Sequence, residues 1–171
     1  MIYYPDQKVY LGADIPVMAR YWRNSRGIFK WCRQYTLRSE EEQSQWLKSI
    51  QGNETVKMFS IKDVGGQNDV GVCGLTSIDK QNQKAEFSLY IAQEYQRRGY
   101  AKSALYTLLR HGFFDMNLNR IWGETFEGNP AIKLFHKLGM ITEGTMRETY
   151  YKEGNWLDSH IVSILRKDFV I

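Results

Sequence analysis

The chain has 171 residues, 43% hydrophobic, 25% charged and 14% aromatic, enough for one buried core with no need of a disulfide framework. Cys32 and Cys73 stand in no CxxC or Cys/His spacing, so they read as buried thiols and no metal site is expected. No stretch nears the roughly eighteen apolar residues of a membrane span, and Pro5, Asp6 and Lys8 interrupt the first residues, so a cytoplasmic protein without membrane contact is expected. The formal net charge of +4 decides less than its distribution: from Ile15 to Ser39 six basic residues (Arg20, Arg23, Arg26, Lys30, Arg33, Arg38) meet no acidic one, interleaved with Tyr21, Trp22, Phe29, Trp31 and Tyr35.

No repeat, low-complexity tract or proline-rich linker divides the chain, so one domain over residues 1–171 is expected. Residues 8–11 read as a short strand. Asp14 is placed to cap a helix with Pro16 in its first turn and its end near Asn24. Ser39-Glu40-Glu41-Glu42 is a capping box that opens a second helix, with Trp46, Leu47 and Ile50 on one face and Gly52 as its stop. Residues 58–62 and 70–78 read as an antiparallel hairpin turning through residues 64–69, and residues 84–91 add a third strand. Beyond a glycine loop, Ala101, Leu105, Leu108, Leu109 and Phe113 recur at helical spacing, and the apolar face continues to Met116. A strand over residues 120–126 follows a turn at 117–119. Pro130 opens a helix with Ile132, Leu134, Phe135 and Leu138 apolar, ending at Gly139, where glycine suits the left-handed conformation. Residues 145–151 and 156–165 form a last hairpin. The order is α+β, with a mostly antiparallel sheet and one parallel step across the glycine loop and its helix.

The segment Gln96-Arg97-Arg98-Gly99-Tyr100-Ala101 leaves a strand and enters a helix directly, which aims unpaired backbone N–H groups and the positive end of a helix dipole at one point. That arrangement suits a pyrophosphate of any kind, or else is a plain turn with exposed arginines. Gln96, Gly99 and Ala101 match the pattern Gln/Arg-x-x-Gly-x-Gly/Ala, and here the sequence resembles the GNAT N-acetyltransferase superfamily. Residues 85–91 resemble that family's fourth strand. Residues 129–140, Asn-Pro-Ala-Ile-Lys-Leu-Phe-His-Lys-Leu-Gly-Met, are similar to its helix against the pantetheine arm. Glu143-Gly144-Thr-Met-Arg147 and Tyr151-Lys-Glu-Gly154-Asn-Trp-Leu-Asp158 look like the closing hairpin of the branch with ribosomal-protein N-terminal and spermidine acetyltransferases. The resemblance implies a GNAT-like sheet flanked by helices and splayed between its fourth and fifth strands, with acetyl-CoA as co-substrate and direct transfer to an amine. It assigns the cofactor to Tyr90, Ile91, Gln96, Arg97, Arg98, Gly99, Tyr100, Ala101, Lys102, Asn129 and Phe135.

An alkyl amine with pKa about 10.4 is almost wholly protonated at pH 7, and freeing its lone pair costs about 4–5 kcal/mol, against about 1 for an α-amine. Glu86 is the first choice of general base, with a surface ion-pair role as the alternative, and Glu124 is the second. Alternation puts Glu86, Ser88 and Tyr90 on one sheet face and Phe87, Leu89 and Ile91 on the other. The family's thiolate-protonating tyrosine falls on Phe135, which leaves Tyr90, Tyr150, Tyr151 or water as the acid, or none. The acceptor side is expected at Trp22, Arg26, Trp31, Arg33 and Tyr151, and its positive charge points to an anionic amine, an amino sugar or a protein N-terminus and away from polycations. The alternative there is a core role for the aromatics and solvated arginines. A monomer or homodimer is expected. The second reading of function is a nucleic-acid-binding or regulatory module that kept the fold without the chemistry.

Overall fold

The computed structural model describes residues 1–66 and 68–170; Gln67, in the turn expected at 64–69, lies outside them. An eight-stranded sheet runs in the order β1 (Ile2–Tyr3), β2 (Val9–Gly12), β3 (Lys57–Asp63), β4 (Asp69–Asp79), β5 (Lys84–Ile91), β6 (Arg120–Phe126), β8 (Asn155–Leu165), β7 (Ile141–Lys152). Every neighbouring pair is antiparallel except β5 with β6. The mixed, mostly antiparallel sheet expected of the sequence is therefore present, with the two-residue β1 as an unforeseen first strand.

The parallel pair is short. Only Lys84–Glu86 pair with Arg120–Trp122, although β5 continues to Ile91 and β6 to Phe126. The next register position explains why the strands part. A Cβ on Gly123 would stand 2.4 Å from the Phe87 ring, so that ring lies directly on the β6 backbone. Phe135 meets Phe87 edge-on at 5.1 Å between ring centroids. Two aromatic rings thus fill the space a further backbone ladder would take, and the sheet opens into a V beyond Glu86.

One face of the sheet carries the main core. α4 (Tyr100–Arg110) buries Leu105, Leu108 and Leu109, and its chain continues through a π-helical turn, His111–Asp115, that buries Phe113. α5 (Ala131–Lys137) covers the same face with Phe135. It ends as expected, with Gly139 at φ +86° and the Met140 N–H reaching back to the Phe135 carbonyl. The opposite face carries a smaller core of Ala19, Trp22, Ile28, Val72 and Ala92. Its cover is α1 (Ala19–Asn24) and α2 (Arg26–Phe29).

Two boundaries differ from the sequence reading. The helix expected to be capped by Asp14 starts only at Ala19, because residues 13–18 cross from β2 to the other face, and Pro16 supplies a turn carbonyl to Ala19 instead of a first helical turn. Ser25, extended at ψ 140°, then splits off α2. The last hairpin is also longer than expected: β7 begins at Ile141, and the Glu143-Gly144 stretch is absorbed as a bulge within the strand. By contrast α3 (Glu40–Ile50) carries the full capping box, with the Ser39 hydroxyl accepting from the Glu42 N–H and the Glu42 carboxylate from the Ser39 N–H.

Candidate active site

At the end of β5 the backbone turns twice into the left-handed region, at Arg97 (φ +62°) and Gly99 (φ +87°), before α4 begins. Gly99 is the helix N-cap and offers no side-chain acceptor, so the first-turn N–H groups remain for a ligand. Two left-handed residues one apart curl the intervening amides inward, the geometry of an anion-binding nest. A cavity of about 200 Å³ sits on this loop, lined by Ile91, Tyr95, Arg97, Gly99, Ala101 and Lys102, with Leu134 of α5 on its far side. A second cavity of about 770 Å³ shares Gly99 and Lys102 and brings in Lys8, His136 and Lys137. Gln96 also lines the smaller cavity, and its side-chain amide donates to the Ile91 carbonyl at 3.0 Å and braces the loop on the strand end. Arg98 lies over Tyr95, which meets Tyr100 edge-on. Asn129 accepts from the Ala131 N–H and so caps α5, and Phe135 is buried in the wedge.

Across the V, on the other face, stand the two carboxylates singled out from the sequence. Glu86 and Glu124 have side chains 9% and 6% exposed, and the half-exposed Arg33 bridges them, at 2.5 Å to Glu86 and 3.4 Å to Glu124. Burial works against the Arg33 charge, yet Glu86, Tyr150 and Glu124 together hold its pKa above the ordinary arginine value. The two acids differ in how fully they are bound. Glu124 accepts the Ser159 hydroxyl at 2.6 Å and the Tyr150 hydroxyl at 3.2 Å besides Arg33. Among the described residues Arg33 alone donates to the Glu86 carboxylate.

The tyrosines separate in the same way. Tyr90 is on the Glu86 face, as alternation required, but its hydroxyl donates to the Ala19 carbonyl, and burial drives its pKa up. It is part of the smaller core and is held away from proton transfer. Tyr151 is half exposed and leans on Trp156. Tyr150 faces the carboxylates, its pKa raised by burial and by Glu124.

Of the expected acceptor residues, Trp22 is 8% exposed and lies in the smaller core. Trp31 is partly covered and stacks under Lys30; Arg26 is exposed. The positive field is smaller than the sequence suggested. Arg33 is held by two carboxylates and Arg20 by Glu40 at 2.8 Å, while Arg23 meets only the neutral Gln34 amide and keeps its charge. At the V itself Glu86 and Glu124 face Arg33, and the Lys152 ammonium lies beside the same segment, so the four formal charges balance. Ser159 and Lys152, both at this site, were not legible: Ser159 comes from the partner strand of β6 and Lys152 from an expected turn.

A V-shaped opening beside an uncapped helix start, in a sheet of this order, is the architecture of the GNAT acetyltransferases. The acetyltransferase (GNAT) domain family matches residues 11–141, and the chain belongs to that family of N-acetyltransferases. It is 27% identical over 160 residues to an uncharacterized N-acetyltransferase p20 of Bacillus licheniformis, covering 91% of this chain and 89% of that one. It is 25% identical over 148 residues to the spermidine N(1)-acetyltransferase of Vibrio cholerae, covering 86% and 85%. Its fold matches the crystal structure of spermidine N-acetyltransferase from Vibrio cholerae in complex with CoA and spermine, with TM-score 0.87 at 24% identity over 94% of this chain and 97% of that one. No described helix is long and apolar enough to cross a membrane.

Proposed function

We propose that this chain transfers the acetyl group of acetyl-CoA to the primary amine of a small cationic molecule. One observation carries the reading: the phosphate-binding curl at Arg97–Gly99 and the Arg33-bridged carboxylates open onto the same V from opposite faces. The amides of Arg98, Gly99 and Tyr100 would hold the pyrophosphate, and Lys8, Lys102 and Lys137 supply cations beside it for the nucleotide end. The pantetheine arm would enter the V, where Phe87 and Phe135 give an apolar wall.

The acceptor approaches from the Arg33 side. Its ammonium is drawn to Glu86, the less fully bound of the two carboxylates, and Glu86 takes the proton whose removal costs about 4–5 kcal/mol for an alkyl amine at pH 7. The freed lone pair attacks the acetyl carbonyl directly; as the C–S bond breaks, the departing sulfur takes a proton from Tyr150 or from water, and the acylated nitrogen gives its second proton back to that donor. This departs from the expectation of an anionic acceptor, because Arg33, the arginine placed at the V, is held by two carboxylates. The spermidine-acetylating relative supports an amine of this kind.

The test is release of free coenzyme A thiol with acetyl-CoA and a panel of polyamines, amino sugars, α-amino peptides and nucleosides. Turnover is expected with aliphatic amines at kcat/KM at least about tenfold above anionic acceptors, the difference that about 1.4 kcal/mol of charge preference gives. No release with any member of the panel would overturn the reading.

A further inference from the structure

We propose that Lys152, at the end of β7, is a positioning residue that holds Arg33 over the carboxylates by gripping the backbone on both sides of it. The proposal rests on the amine-acetyltransferase reading above. The Lys152 Nζ donates to the carbonyls of Phe29 and Cys32 at 2.6 Å each and of Gln34 at 3.3 Å. Three donors meet three carbonyls, and no carboxylate pairs with the ammonium among the described residues. The residue is 9% exposed, and its ammonium also lies 4.4 Å from the Phe29 ring centroid and 5.8 Å from that of Phe126.

Cys32 and Gln34 flank Arg33. The segment from Lys30 to Arg38 has no helix or strand of its own, so no backbone ladder fixes the direction of the Arg33 side chain. One buried ammonium supplies what secondary structure does not, since charge-assisted hydrogen bonds to carbonyls in a poorly hydrated site are stronger and shorter than neutral ones. Tyr150, two residues earlier on the same face of β7, completes the clamp: its ring meets Phe126 at 5.0 Å and Tyr35 at 6.5 Å. With the clamp open, the segment that walls the acceptor side is disordered in the free protein and must be ordered when the amine binds. That penalty falls on amine affinity and leaves the bound complex, and the CoA loop on the far face, nearly unchanged.

Lys152→Met, which keeps the stem and removes the charge, is expected to raise the amine KM about tenfold, the effect of one lost charge-assisted contact. Its kcat should change less than about threefold and its acetyl-CoA affinity not at all, while Lys152→Arg, still charged, recovers part of the amine KM. Hydrogen exchange at residues 30–36 should quicken in Lys152→Met and slow again with saturating amine. An unchanged amine KM, or a rise shared equally with acetyl-CoA, would overturn the proposal. Should the Met variant not fold, Lys152→Arg decides: its amine KM should exceed that of the parent chain, and equality overturns the proposal. Absence of turnover in the parent chain would instead count against the acetyltransferase reading. The exchange comparison would still test the clamp, and unchanged exchange at residues 30–36 would overturn it.

Discussion

Glu86 and Glu124 are two carboxylates of similar burial whose hydrogen-bond partners differ. Glu124 is bound on both oxygens by Ser159, Tyr150 and Arg33. Glu86 has Arg33 alone. Glu86→Gln is therefore expected to lower kcat/KM for an alkyl amine at pH 7 by roughly a hundredfold, the ordinary contribution of a positioned base. The deficit should shrink as pH rises toward the amine pKa, because more of the acceptor arrives already neutral. A rate for Glu86→Gln that stays parallel to the parent chain at every pH would remove the base assignment. Choosing these residues from the sequence needed only their place on strands beside the loop. Choosing between them needed their partners, which come from the α2–α3 connection, β7 and β8, far away in the chain.

Elements built from neighbouring residues followed local signals closely. The α3 capping box, the Gly99 helix entry and the Gly139 helix exit all use side chains or backbone within a few positions. The helix expected from Asp14 failed because a long-range demand prevailed: the chain must cross from one sheet face to the other before α1 can pack. Cross-strand ties also hold the far edge of the sheet. Arg120 on β6 grips Glu143 on β7 with both nitrogens, at 2.6 and 2.5 Å, and Ser163 on β8 adds a hydroxyl at 2.8 Å. The Arg120 hydrogen bonds, then Ser163, hold the Glu143 pKa down to about 2 from the ordinary 4.5. A lowered folded-state pKa contributes stability that is complete above about pH 4.5 and is lost as pH falls through about 2. The pair is a third exposed, so the contribution after screening is about 1 kcal/mol. Glu143→Gln should flatten the melting temperature between those pH values; an acid slope equal to that of the parent chain would exclude the tie.

At the scale of the whole molecule, the V is a fixed defect in the sheet. Phe87 on Gly123, backed by Phe135, keeps β5 and β6 apart, so a ligand seated there would replace missing sheet contacts and join the two halves. Acetyl-CoA at about a hundred times its Kd is expected to stabilise the folded state by about 2.7 kcal/mol and raise the melting temperature by roughly 5–10 °C. Calorimetry with and without acetyl-CoA checks this, and an unmoved transition would reject the V as the binding site. The glycine loop, its helix and seven of the eight strands were legible in the sequence because each is made by consecutive residues whose conformation is a local property. The acceptor side was not. Its charge depends on Arg33, Glu86, Glu124 and Tyr150 meeting from four separate segments, with Lys152 reaching across about 120 positions to hold one of them. Coulomb interactions depend on distance in space, so only the tertiary structure could show that Arg33, in a basic stretch of sequence, is met by two carboxylates.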